Sequence, residues 1–264
     1  MQAEILMDGK VIGVLEHDAS TGLFSFDYAS SWKEDHQAFA LSPTLPLVRI
    51  DASPENHSAQ VRQFFENLLP EGQALDNASS LFQISKSNVM GLLLALGKET
   101  AGAISIRTAG AEQEVNEVAL RPISYQELSE RISARNEEPF AVWDGKIRLS
   151  IAGYQDKIAV FKQGEDLFLV DGPPYASTRI LKPEPISASL NSLTSNEFFC
   201  MRLAERLKLS SAKTELIHVP EPVLLVTRFD RIEQSGKVKR IHIIDGCQAL
   251  GLSSAFKYER PYGD

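Results

Sequence analysis

An α+β protein in two parts is the fold class this sequence predicts, and three features of the text predict it. Near the start, "AEILMDGKVIGVLE" alternates apolar and polar residues about Asp8-Gly9, the signature of a tight β-hairpin. Between Lys146 and Asp245 short alternating stretches recur, closed by Gly, Pro or Ser turns, as in a mostly antiparallel sheet. One long amphipathic stretch, "NSLTSNEFFCMRLAERLKL", interrupts that series after its fourth strand.

The first part, 1–110, is a small α+β subdomain. After the hairpin, "GLFSFDY" is a strand with Phe24, Phe26 and Tyr28 on one face. In "QVRQFFENLLPEG", Val61, Phe64, Phe65, Leu68 and Leu69 recur at helical spacing, and Pro70 and Gly72 close the segment. "SNVMGLLLALG" reads as a buried helix and "AGAISI" as a short strand. Polar text in "AGAEQEVNEVALRP" predicts a linker over 111–123.

The second part, 124–245, opens on a capping box, Ser124 with Glu127, ahead of a short helix. "GKIRLSI" and "KIAVFKQ" read as the two arms of a hairpin around "SIAGYQDK". "DLFLVDG" and "TRILKPE" follow, the latter stopped by Pro183. The long helix is expected to turn Cys200, Leu203, Ala204 and Leu207 to the core, and "TELIHV", "PVLLVTRFDR" and "KVKRIHIID" complete the sheet. A mostly antiparallel sheet with one main helix after its fourth strand is the order of a protein-kinase small lobe, an order many α+β domains share.

Composition narrows the function classes. The chain has 264 residues, 43% of them hydrophobic, ample for one large domain or two ordinary ones. Its net charge is -8, from 35 acidic against 27 basic residues, which argues against gripping nucleic acid unaided and leaves DNA reached through a basic partner open. The apolar run "VMGLLLALG" is too short to span a membrane, and "MQAEILMDGK" carries charges where a signal peptide is apolar. A soluble cytoplasmic protein is expected. Cys200 and Cys247 lack metal-site spacing and read as buried thiols. The histidines show no HExxH spacing and there is no GxSxG, so neither a metal site nor a serine hydrolase is indicated.

Three places remain for chemistry. In "SIAGYQDK", backbone N–H groups around Ala152 and Gly153 could converge on a phosphate oxygen, with Gln155 as a further donor. The ordinary reading is a hairpin tip that needs glycine, and by itself the tip reading prevails. Lys182, at the end of "RILK", is either a solvated surface lysine or one that meets nucleotide phosphates. Glu197 sits on the helix one turn before Cys200. It either favours the positive helix end or needs a cation, which Lys182 would supply; residue logic leaves those two even. Finally Thr227, Arg228 and Phe229 end an apolar strand that could offer backbone to an adenine edge or simply close in solvated charge.

Taken together and in order, "SIAGYQDKIAVF", "ILKP", "NEFFCMRLA", "LLVTRFDR" and "DGCQALGLSSAFKYE" resemble the HipA family of bacterial serine/threonine kinases, toxins of toxin–antitoxin modules. "FFENLLPEG" and "GKETAGAISI" resemble that family's leading subdomain, so the likeness covers essentially the whole chain. It implies ATP and Mg2+ as cofactors, with Ser150 as an autophosphorylation site whose modification ejects the loop. It implies nucleotide contacts at Ala152, Gly153, Tyr154, Gln155, Lys157, Lys182, Thr227, Arg228 and Phe229, with Glu197 as the partner of Lys182. It further implies a small DNA-binding antitoxin as partner, operator DNA reached mainly through it, and a protein substrate of the aminoacyl-tRNA synthetase class. The family's catalytic-loop aspartate and asparagine and its metal-binding aspartate have no counterpart here. Residues 246–264 read as the start of a large lobe, cut short, with the magnesium ligands expected beyond residue 264. The alternative reading is an inactive fragment that only binds antitoxin or nucleotide.

Overall fold

The computed structural model describes residues 1–50, 53–111, 119–148, 155–187, 190–234 and 236–259. They fall into two compact units, 1–111 with 241–259 and 119–148 with 155–240.

The first unit begins with β1 (Gln2–Met7) and β2 (Lys10–His17), joined at Asp8 and Gly9 with φ of 49° and 80°. Two positive φ values are what the right-handed strand twist demands of a two-residue turn, and Asp-Gly supplies them cheaply. β3 (Phe24–Tyr28) buries Phe24, Phe26 and Tyr28, as its alternation predicts. After α1 (Ser30–Lys33) come α2 (Pro54–Glu66), α3 (Gly72–Phe82), α4 (Val89–Leu96) and β4 (Ile104–Thr108). The sheet order is β3-β2-β1-β4, antiparallel throughout. α2 covers the open edge of β3: Ser58 Oγ accepts the Phe24 N–H at 2.8 Å and His57 Nε2 that of Phe26 at 3.4 Å. A sheet edge satisfied from within is closed to strand addition.

Tyr28 clamps the following loop. Its hydroxyl accepts the Leu41 N–H and donates to the Leu45 carbonyl, both at 2.6 Å. Burial pushes the phenol up to about 12, against the opposing effect of the Leu41 bond. Tyr28→Phe is expected to remove about 1–3 kcal/mol, since two buried backbone groups lose their partner; the denaturant midpoint of this unit measures it. A phenol raised only in the folded chain contributes stability that is complete below pH 10 and lost as pH climbs toward about 12. Wild type should therefore lose more stability than Tyr28→Phe over that window, and parallel alkaline limbs would refute the clamp.

The second unit contains β5 (Leu120–Ile123), α5 (Tyr125–Ser133), β6 (Val142–Trp143), β7 (Lys146–Ile147), β8 (Ile158–Gln163), β9 (Asp166–Val170) and β10 (Arg179–Pro183). Then follow α6 (Leu193–Arg206), β11 (Thr214–Val219), β12 (Glu221–Thr227), β13 (Arg231–Gln234) and β14 (Lys237–Arg240). Six strands form an antiparallel sheet in the order β11-β12-β10-β8-β9-β5. Leu128 and Ile132 of α5, with Phe140 and Trp143, bury one face of it against Ile158, Val160, Leu181, Val223 and Leu225.

Three expectations are corrected here. The stretch expected to be linker ends in β5, whose Pro122 is tolerated because the strand lies at the sheet edge. Among the described residues "GKIRLSI" is more than one arm of a hairpin with β8: its strand β7 pairs with β6 across an Asp144-Gly145 turn, β8 pairs with β10 and β9, and a single backbone bond, from the Ala159 N–H to the Arg148 carbonyl at 3.1 Å, joins the stretch to β8. Cys247 is buried but Cys200 is exposed.

The last described residues, 241–259, belong to the first unit. Their helix α7 (Gly246–Leu250) has a complete capping box between Asp245 and Gln248, and Gln248 Nε2 donates to the Phe64 carbonyl of α2 at 3.0 Å. Lys257 reaches Glu71 at 2.8 Å and Asp245 at 3.1 Å; burial acts to lower it, and these two carboxylates outweigh that and hold it above its ordinary value. The segment read as the opening of a large lobe is thus packed on α2. Among the described residues no helix is long and apolar enough to cross a membrane.

Candidate functional site

The face of the six-stranded sheet away from α5 carries the candidate chemistry. In β10, Leu181 points into the core, so Ile180 and Lys182 share the opposite face. Register extends that face across three neighbours: Ala159, Ile180, Val226 and Thr214 lie in one row, and Lys182, Leu224 and Leu216 in the next. An apolar row beside a single lysine is the result.

α6 lies beside this face. Thr194 is its one buried side chain among the described residues, and Glu197, Phe198, Met201 and Ala204 are half-buried toward β11 and β12. Lys182 Nζ donates to Glu197 Oε1 at 2.6 Å, with both side chains largely withdrawn from water. Of the two even readings of Glu197, the contact with the strand lysine is the one formed. A half-buried carboxylate gains a cation, and the lysine gains a fixed direction.

The apolar stripe expected to seat α6 in the core is corrected. Phe199, Leu203 and Leu207 are 65%, 46% and 64% exposed, and of the four stripe residues named only Ala204 faces the sheet.

The other sequence candidates divide. Ser150, Ala152, Gly153 and Tyr154 lie outside the described residues. On one side of them Arg148 is buried, with its guanidinium on Asp171 at 2.8 Å and Asp144 at 3.1 Å. Burial alone would raise Asp171, but Lys146 and Arg148 hold it below its ordinary value. On the other side Gln155 Nε2 donates to the Pro183 carbonyl at 3.2 Å, one residue from Lys182. Asp156 lies 3.8 Å from Arg135, and Lys157 is buried just before β8. The chain flanking 149–154 is therefore fixed on both sides, and its far side meets the end of β10 beside Lys182.

Thr227 pairs with Arg179 and so shares a register row with Val160, which alternates to the face opposite Lys182. Arg228 is buried: its guanidinium clasps Asp230 at 2.9 and 2.7 Å and donates to Ser177 Oγ at 2.9 Å. Its side chain is thus part of the fold and does not join the row beside Lys182. Phe229 is 74% exposed. Sequence reasoning missed Glu184, Arg135 and Arg148, each of which has a partner on a different element: α6 for Glu184, the Glu184 carbonyl for Arg135 and Asp171 for Arg148. Two cavities of the first unit, about 460 and 550 Å3 along β3 and the 43–50 loop, contain none of the candidates. Among the described residues no three His, Cys, Asp or Glu side chains are grouped to hold a metal ion.

Known proteins match this chain along nearly its whole length. The HipA N-terminal domain family matches residues 3–107 and the HipA-like C-terminal domain family residues 149–264. A serine/threonine-protein kinase toxin HipA from Shewanella oneidensis is 38% identical over 98% of the chain, and the chain covers 58% of that protein. A Sinorhizobium fredii protein, Y4mE, is 35% identical over 95% of the chain, which covers 59% of it. The Shewanella oneidensis HipA solved with HipB and operator DNA superposes with a TM-score of 0.82 at 38% identity, over 99% of this chain and 59% of that one. The chain spans a little over half the length of these relatives. With both domain families matched in order and the fold shared with a solved member, the chain belongs to the HipA family.

Proposed function

We propose that this chain carries the nucleotide-binding part of a HipA-type serine/threonine kinase toxin that uses ATP with Mg2+. The observation that carries the reading is the Lys182–Glu197 contact at 2.6 Å, set beside the apolar row of Ala159, Ile180 and Val226. An ammonium aimed by a carboxylate suits phosphate oxygens, and a smooth apolar row suits the flat face of a base. The family resemblance assigns Ala152, Gly153, Tyr154, Gln155 and Lys157 to the phosphates. The Thr227 backbone and the Phe229 ring line the adenine edge, and Arg228 supports them from within. Among the described residues no acidic cluster is grouped to hold magnesium.

The whole protein phosphorylates its own Ser150 and a protein substrate of the aminoacyl-tRNA synthetase class, in the cytoplasm. A small DNA-binding antitoxin holds it and brings it to operator DNA. The relative's name as a kinase toxin and its solved assembly with HipB and DNA support this part. So does a net charge of -8, which suits a chain that meets DNA mainly through a basic partner.

Titration of MgATP into the 264-residue chain is expected to saturate at one site. Phosphopeptide mapping of the catalytically complete protein should find phosphate at Ser150, and Ser150→Ala should abolish it; an active protein with unmodified Ser150 would sink this part. A kinase assay on the chain alone separates this reading from a module that binds nucleotide or antitoxin without turnover.

A further inference from the structure

α6 begins in an unusual way. The first N–H groups of a helix have no partner within it, and the N-cap side chain commonly supplies one. Here the N-cap is Ser192, left-handed with φ of 64°, and its side chain makes no capping bond. Glu184 takes that place from the end of β10. Its Oε1 accepts the Leu193 N–H at 2.9 Å and its Oε2 the Thr194 N–H at 3.1 Å. An anion accepting two N–H groups at the positive end of a 14-residue helix is a strong, directional tie.

The tie lies two residues from Lys182 on the strand, and Glu197 lies one turn from Leu193 on the helix. Strand and helix are thus clasped twice, acid to helix end and lysine to acid. Glu184 is itself held, because Arg135 donates to its carbonyl at 2.6 Å. Packing of Thr194, Phe198, Met201 and Ala204 holds α6 near β11 and β12, while Phe199, Leu203 and Leu207 face away, so the two clasps are the directional ties along its axis. A slip by one residue moves a helix about 1.5 Å, enough to break a 2.6 Å contact.

We infer that Glu184 is a positioning residue: by capping α6 it sets the register in which Glu197 meets Lys182, and so aims the lysine that the proposed function assigns to nucleotide phosphate. The role in nucleotide binding rests on that reading; the coupling of Glu184 to Lys182 does not.

The test has a nucleotide-free arm. Acylation of Lys182 by an amine-reactive reagent, followed by mass spectrometry of the folded chain, reports its pairing. Glu197→Gln should raise the Lys182 rate several-fold, as should Glu184→Ala. The double variant should react no faster than Glu197→Gln alone, because both act through one contact. Glu184→Gln, which keeps an acceptor for one N–H, should fall between, and Lys237 serves as the exposed control. If Glu184→Ala labels every lysine faster, it has unfolded and Glu184→Gln decides. Lys182 labelling at the wild-type rate in a folded Glu184 variant would reduce Glu184 to a helix cap. In the second arm Glu184→Ala should weaken MgATP binding about tenfold, equivalent to 1.4 kcal/mol, and by nothing further in a Lys182→Met background. Wild-type MgATP affinity in Lys182→Met would count against the nucleotide reading and leave the labelling result standing.

Discussion

Lys182→Met is expected to weaken MgATP binding by the 264-residue chain about 10- to 100-fold, the range that the loss of one hydrogen bond to a charged group gives. Methionine keeps the length and apolar stem of lysine, so packing beside Ile180 and Leu224 survives while the ammonium is lost. Glu197→Gln should weaken binding less, because the lysine keeps its charge and loses only its aim. Neither change should cost much stability: the pair is partly exposed, at 19% and 29% of the side chains, and water screens what the partner loses. The measurement is a direct binding titration of the three chains, with thermal unfolding as control. Unchanged affinity in Lys182→Met with the fold intact would remove the nucleotide from this face of the sheet.

How far the site could be read from sequence depends on the range of each interaction. The Asp8-Gly9 hairpin, the buried alternation of β3 and the helical spacing of Val61, Phe64 and Phe65 are local patterns, and each is where the residues put it. Lys182 and Glu197 are 15 residues apart on adjacent elements, close enough that the cost of a half-buried carboxylate made Lys182 one of two even readings of Glu197. The rest failed for identifiable reasons. Asp144-Gly145 is the same turn signal as Asp8-Gly9, but the two-residue strands around it left no alternation to notice. α3 is rich in Asn, Asp and Ser, weak helix formers, so "GQALDNASSLF" lacked a helical signature. Periodicity located an apolar stripe on α6 but carries no information about what covers it. Glu184 could not be found as a cap by inspecting the residues next to the helix, because the cap comes from another element. Arg228 stands in a strand-end charge cluster where solvated and buried arginines look alike in text.

That last ambiguity yields the prediction with the largest stability effect. Asp230 is 4% exposed and lies between two buried arginines, receiving Arg228 at 2.9 and 2.7 Å and Arg231 at 2.7 Å. Asp230→Ala is expected to cost about 3–5 kcal/mol, because two desolvated guanidinium groups lose the carboxylate they share. The change should appear in the unfolding transition of the second unit, as a lower denaturant midpoint with little change in slope. Arg228→Ala should destabilise in the same sense, leaving a buried carboxylate with one arginine where it had two. Phe229→Ala provides the contrast: at 74% exposure it should move stability by no more than about 0.5 kcal/mol, yet weaken nucleotide binding if its ring lines the adenine edge. The neighbours are thus separable by readout, Arg228 through folding and Phe229 through ligand. If Arg228→Ala instead left stability unchanged and selectively weakened MgATP binding, its guanidinium would belong with the nucleotide and the buried cluster around Asp230 would be the wrong account of it.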